Sequence, residues 1–159
     1  MLQKSTITYQ VEQIRTVYAE AENLLVAHWN EIAMYKDIHI DPNLQRYLSL
    51  EQYGCCVLCT VRAEARLVGY VVYLISRNMH YNLLEALGDL HYLHPDYRKS
   101  GIGLKMLKFG EEEMRRRGVV LLIGRTKADP QLNHGAIFEH LGYDKQDIVY
   151  TKRLDRHGP

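Results

Sequence analysis

The side chains best able to do chemistry crowd between positions 85 and 104. Glu85, Asp89 and His91 lead into a basic, glycine-bearing stretch, His94-Pro-Asp-Tyr-Arg98-Lys-Ser-Gly101-Ile-Gly103. That stretch lies between an apolar run, Leu83 to Leu93, and an amphipathic segment, Leu104 to Arg117. A strand that turns through such a loop into a helix start is built to hold an anion. The first backbone N–H groups of the helix lack intrahelical partners, and its dipole places roughly +0.5 charge there. A phosphate or pyrophosphate satisfies both. Gly101 and Gly103 permit close backbone approach, and Arg98 and Lys99 add positive charge. A ligand-free tight turn would have no use for two glycines and two cations.

Two familiar glycine motifs do not fit. A phosphate-cradling P-loop needs Lys-Ser/Thr after its last glycine, and Leu104-Lys105-Met106 stands there. The dinucleotide fingerprint needs a third glycine where Met106 stands. Arg98-x-x-Gly101-x-Gly103 instead matches the Q/R-x-x-G-x-G/A signature of the GNAT N-acetyltransferases. The resemblance extends back through Tyr92-Leu93-His94-Pro95-Asp96-Tyr97 and forward to Asn133-His-Gly-Ala136-Ile-Phe138-Glu-His-Leu141-Gly142-Tyr143. It is good from about Leu67 to Leu154 and weak before that.

The resemblance implies a fold, a co-substrate and a reaction. The fold is α/β (α+β), a mixed and mostly antiparallel sheet of about seven strands flanked by four helices. Its fourth and fifth strands are parallel and splay apart, with acetyl-CoA in the opening. The pyrophosphate would sit on the backbone of Arg98, Lys99, Ser100, Gly101, Ile102, Gly103 and Leu104. The pantetheine would run like an added strand along Tyr92 and Leu93, and Asn133 is the candidate contact from the later helix. A primary amine, of a small molecule or a protein, would enter near the first two helices and attack the thioester directly, which requires loss of a proton.

On a regular fourth strand Glu85, Leu87, Asp89, His91 and Leu93 share one face. Asp89 is the first candidate to take the proton, directly or through water. His91 is the second, since an ordinary pKa near 6.5 suits transfer at neutral pH. Glu85 lies farther back. A bulge would shift these faces. Many family members place a thiolate-protonating tyrosine where alignment on Leu141-Gly142-Tyr143 puts Phe138. Tyr143, Tyr81, a water or unassisted departure are the alternatives, because a thiol pKa near 8.5 makes thiolate a fair leaving group.

The elements that must position these groups follow from periodicity and punctuation. Thr6 to Gln10 reads as a strand, and helical spacing from Val11 to Ile32 predicts a long helix over roughly 12–34. Asp41-Pro42 reads as N-cap and first helical residue of a second helix running to about Gln52. Cys55 to Ala63 and Leu67 to Arg77 form a hairpin about Glu64-Ala-Arg66. Leu83 to Leu93 is the fourth strand. Glu111, Glu112 and Glu113 precede Arg115, Arg116 and Arg117 by four, which predicts ion pairs on a solvated helix face closed by Gly118. Val119 to Arg125 is then a buried strand parallel to the fourth. A helix over 133–141 and a strand pair over 143–153 complete residues 1–154 as one domain, with 155–159 a polar tail.

Bulk composition limits the function classes. Twenty basic and 19 acidic residues leave a net charge of +1 over 159 residues, so no global field draws the chain to nucleic acid. No apolar run is long enough to cross a membrane, and the N-terminus lacks a signal-peptide core. Cys56 and Cys59 spell C-x-x-C, but on a strand they point to opposite faces. They read as buried thiols suited to a reducing, cytoplasmic setting. His91 and His94 diverge, His134 and His140 do not align, and no metal site is expected. Trp29, Tyr35, Tyr47 and Tyr53 lie in the segments expected to shape an acceptor pocket, where aromatics could stack on an acceptor, but at helical spacing they are more often core. Two rival readings remain, a non-catalytic acyl-CoA-binding module and a nucleic-acid-directed acetyltransferase, and a homodimer through the last strands or the long helix is left open.

Overall fold

Alternating apolar residues build a five-stranded sheet in sequence order. The computed structural model describes residues 6–127 and 135–155. The strands are β1 (Ile7–Glu12), β2 (Cys56–Ala63), β3 (Arg66–Arg77), β4 (Leu84–Leu93) and β5 (Leu121–Ile123), arranged β1-β2-β3-β4-β5. The first three pairings are antiparallel, and β4 and β5 run parallel. The helices are α1 (Ile14–Ile32), α2 (Leu44–Gln52), α3 (Ile102–Arg116) and α4 (Ala136–His140), with a 3-10 helix over Pro95–Ser100.

The sheet divides two cores. On one face Val57, Cys59, Val61, Val71, Tyr73, Ala86 and Leu93 pack against Ile102, Met106, Leu107 and Met114 of α3. On the other, Cys56, Leu58, Tyr70, Val72 and Tyr92 meet Ile14, Val17 and Ala21 of α1, with Tyr47 and Leu48 of α2 at the margin. Cys56 and Cys59 fall in different cores, as strand alternation requires. Burial pushes both thiols up to about 12, which leaves them protonated.

Several boundaries differ from the sequence reading, each for a local reason. β1 runs on to Glu12, whose carboxylate receives the Arg62 guanidinium at 2.8 Å and the Thr60 hydroxyl from the neighbouring strand. The cap of α2 is Asn43 rather than Asp41. Asn43 Oδ1 accepts the Arg46 N–H at 3.0 Å. β5 spans three residues with Leu121 and Ile123 exposed, so it is not the buried strand expected, having a strand neighbour on one side only. Residues 143–153 contain no strand, and the sheet of the described residues has five strands rather than about seven.

The charged face of α3 is also re-paired. Arg115 bonds to Glu112, while Arg116 and Arg117 both reach Glu113 at 2.6 and 2.8 Å. Of the three predicted i,i+4 spacings, only 113–117 is used. Glu113 is buried, and Glu111 turns toward Tyr143. Gly118, at φ 79°, ends the helix as expected.

Candidate active site

The site is set by where β4 loses its partner. β5 pairs only with Glu85, Ala86 and Leu87, so from Gly88 to Leu93 one edge of β4 has no strand beside it among the described residues. The chain then turns at His94-Pro95 into the 3-10 helix. Gly101, at φ 73°, links that turn to α3 in a left-handed conformation that side chains disfavour. No side chain caps α3, and its first hydrogen bond joins the Lys105 N–H to the Gly101 carbonyl at 3.1 Å. The N–H groups of residues 102–104 therefore stand outside the helical ladder. A Cβ at Gly101 would meet nothing within 4 Å, and at Gly103 only the Leu93 side chain at 3.6 Å. This open, donor-rich helix start fits a diphosphate in charge and space.

Not every residue of the loop faces that opening. The Arg98 guanidinium turns back toward α1 and pairs with both Glu31 carboxylate oxygens at 2.9 and 2.7 Å. Its Nε donates to the Leu93 carbonyl at 2.8 Å, and its plane lies 5.4 Å from the Tyr92 ring centre. In this arrangement the Arg98 charge is shared with Glu31, and one lone pair of the Leu93 carbonyl is engaged. Lys99, Ser100 and Gly101 are exposed, Ile102 is buried, and Gly103 and Leu104 are half-buried. Asn133 lies outside the described residues.

The acid–base candidates are separated by a bulge. β3 and β4 lose register between Val72, opposite Leu90, and Tyr73, opposite Gly88, which leaves Asp89 as the extra residue. Glu85 and Asp89 stay on the face of α1 and α2, whereas His91 moves to the face of α3. The shared face expected for a regular strand is thereby corrected. Glu85 accepts the Asn78 amide at 2.6 Å and the Ser76 hydroxyl at 3.4 Å at the far end of β4. Asp89 Oδ2 accepts the Tyr47 hydroxyl of α2 at 2.6 Å. Burial first, and then that bond, push the Tyr47 pKa well above its ordinary 10, so the tyrosine remains a donor.

His91 lines a small cavity with Gly88, Ile123, Gly124, Phe138 and Tyr143, between β4 and β5. Its volume is about 10 Å³, barely room for one water. The Phe138 ring fills the rest. It meets His91 edge-on at 5.8 Å and Tyr143 at 5.1 Å, and packs where a Gly124 side chain would stand. Tyr143, an alternative proton donor, is hydrogen-bonded to Glu111, and burial followed by that carboxylate pushes its pKa up. Tyr81 is exposed beyond the far end of β4 and does not line this cavity.

Sequence reasoning missed two partners. Tyr47 carried only an aromatic, helix-spaced signal, and Glu31 lies 67 positions from Arg98. His28 was legible as an inward position of α1, but not as the buried partner of the Tyr70 hydroxyl at 2.9 Å, stacked 4.9 Å from Tyr92. Burial is the main reason its pKa falls to about 4, so its ring is neutral at pH 7. Among the described residues no group of three or more His, Cys, Asp or Glu side chains is placed to hold a metal ion.

A half-opened parallel strand pair ahead of an uncapped helix defines a protein of the acetyltransferase fold. The sequence profile of the Acetyltransferase (GNAT) family matches residues 12–143, and the chain belongs to that family. Solved structures agree in fold. A ribosomal-protein-alanine N-acetyltransferase from Brucella melitensis biovar Abortus 2308 superposes with a TM-score of 0.71 at 18% identity, over 94% of this chain and 99% of that one. An aminoglycoside acetyltransferase from an uncultured soil metagenomic sample gives 0.74 at 14%, over 94% and 99%. A predicted acetyltransferase from Clostridium acetobutylicum, solved with acetyl-CoA, gives 0.68 at 14%, over 96% and 99%. No curated protein sequence matches significantly.

Proposed function

We propose that the chain, acting as one domain over residues 1–154, transfers an acetyl group from acetyl-CoA to a primary amine of a small molecule or protein. The observation behind this reading is the open edge of β4 over residues 88–93, leading directly to the uncapped start of α3. The backbone of residues 101–104 would hold the diphosphate, with Lys99 and Ser100 at its rim. The edge of β4 at Tyr92 and Leu93 would hold the pantetheine. Acetyl-CoA supplies an activated thioester carbonyl.

Asp89 is the proton acceptor in this reading. The bulge sets it on the side of α1 and α2, where the amine would enter, and Tyr47 fixes its Oδ2. The second oxygen can then take a proton from an ammonium or an intervening water. His91 occupies the other face, beside Phe138, and would shape the acyl end of the cleft. An acyl group entering the cavity of about 10 Å³ has to displace the Phe138 ring. Tyr143 is a poor acid here, because giving up its proton would set a phenolate beside the Glu111 carboxylate. Unassisted thiolate departure fits better. The free thiols of Cys55, Cys56 and Cys59 suit a reducing compartment, and cytoplasmic residence belongs to the same proposal. No helix among the described residues is long and apolar enough to cross a membrane.

Calorimetric titration with acetyl-CoA, alongside ATP and NAD, tests the donor. Selective binding in the micromolar range, about −8 kcal/mol, is expected. Absence of binding removes both the loop assignment and the enzyme reading. Thiol release in the presence of an amine panel tests the transfer, and tight binding without release for any amine would favour the non-catalytic acyl-CoA module.

A further inference from the structure

Arg98, though exposed, engages all three of its guanidinium nitrogens with groups of the protein. Two of its nitrogens grip Glu31 of α1 in a fork, at 2.9 and 2.7 Å. The third bonds to the carbonyl that ends β4, at 2.8 Å. Its Cζ lies 5.4 Å from the centre of the Tyr92 ring, which is backed by His28 at 4.9 Å and Tyr70 at 6.0 Å. A lone ion pair with both partners about 40% exposed would be worth little. Here the pair closes a frame that includes the last residue of β4 and the 3-10 turn leading to Gly101.

We propose that Glu31 is a positioning residue for donor binding: through Arg98 it fixes the turn from Leu93 to Gly101, and so sets the α3 start against a diphosphate. This inference rests on the acetyl-CoA reading above. It has a sign that plain electrostatics does not share. Removing a carboxylate from the neighbourhood of an anion site should tighten anion binding by relieving repulsion. If Glu31 acts by holding Arg98, its removal loosens binding, since a bidentate charge-assisted pair is directional and its loss frees the turn.

The test is calorimetric titration of the intact protein with CoA. Glu31→Gln keeps the shape and removes the charge, and it is expected to raise the CoA Kd about tenfold. Glu31→Asp keeps the charge and is expected to recover part of that loss. Glu22→Gln, which removes a charge from an exposed position of the same helix, should leave the Kd unchanged. Arg98→Lys keeps the cation but loses the fork, and should loosen binding as Glu31→Gln does. It serves as the second probe if Glu31→Gln does not fold by thermal unfolding. Equal or tighter binding by the informative variant, or an equal loss in Glu22→Gln, overturns the inference while leaving the acetyl-CoA reading intact. Failure of the wild-type protein to bind CoA overturns both.

Discussion

The two faces of the central sheet are built on opposite terms. The α3 face is tightly filled, mostly by apolar side chains. Tyr73 packs so closely over Gly110 that an added Cβ would lie 2.2 Å from its hydroxyl, and Phe138 covers Gly124 in the same way. The α1 and α2 face is laced with polar pairs: Tyr47 with Asp89, His28 with Tyr70, Glu31 with Arg98. One strand serves both, and the bulge at Asp89 switches which residues each face receives. In the proposed reading, proton transfer falls to the side of the polar pairs and the thioester to the side of α3.

The sharpest way to break this division is to damage one side and read the other. Gly103→Asp adds a carboxylate at the helix start proposed to hold the diphosphate, where its Cβ meets only Leu93 at 3.6 Å. CoA affinity should fall at least about 100-fold through charge and dipole, with circular dichroism and thermal midpoint nearly unchanged. Retained affinity would remove the loop from the site. Asp89→Asn should do the reverse, lowering turnover about 100-fold with the acetyl-CoA Kd within about twofold of wild type. Tyr47→Phe, which leaves the carboxylate but frees it, should cost about tenfold in turnover. If Asp89→Asn instead weakens acetyl-CoA binding and leaves turnover intact, the assignment of faces is inverted.

How much of this was legible depends on the range of the signal. The turn from β4 into α3, the parallel direction of β5 and the split cysteines follow from local residue types and spacing, and these stand as read. The bulge left one trace, a glycine inside a strand at position 88, which is a known mark of such sites. It was not decisive, because period-2 alternation runs equally well through a regular strand. The Glu31 partner of Arg98 was hidden for a different reason. A cation beside a phosphate motif reads as a ligand, and nothing local reveals that a carboxylate 67 residues earlier claims it. The apolar run at Ile148, Val149 and Tyr150 has strand-like composition, yet the three residues are 70%, 68% and 90% exposed. Composition alone supplied no pairing partner.

The face of α1 and α2 should also respond to acid. His28 titrates near 6.5 when unfolded and near 4 when folded. Between those values the unfolded chain takes up a proton that the folded chain refuses. The associated stability is complete above about pH 6.5 and is lost as pH falls toward 4, up to about 3 kcal/mol in all. Glu12, whose pKa is lowered from 4.5 on balance by its bonds to Arg62 and Thr60 against burial, adds a loss only below that value. Urea unfolding at pH 7, 6 and 5 should show a steady decline that His28→Gln flattens. An unchanged slope in that variant would mean that the buried ring is protonated without penalty.

Beside the cleft between β4 and β5, Gly124→Ala drives a methyl group to 2.5 Å from the Phe138 ring, and about 1–3 kcal/mol of stability should be lost. The smallest effect is expected at Phe138 itself. The position faces His91 and Tyr143 across the cleft, where a phenol could protonate a departing thiolate. If the thiolate leaves unaided, Phe138→Tyr changes turnover by less than about threefold, since a leaving group with a pKa near 8.5 gains little from an acid near 10. A rise of about tenfold would show that departure limits the reaction and that the protein operates without an acid it could use. A comparable fall, with acetyl-CoA affinity also reduced, would show that the ring's role is packing, because the cavity beside it has no space for an added hydroxyl and its hydration.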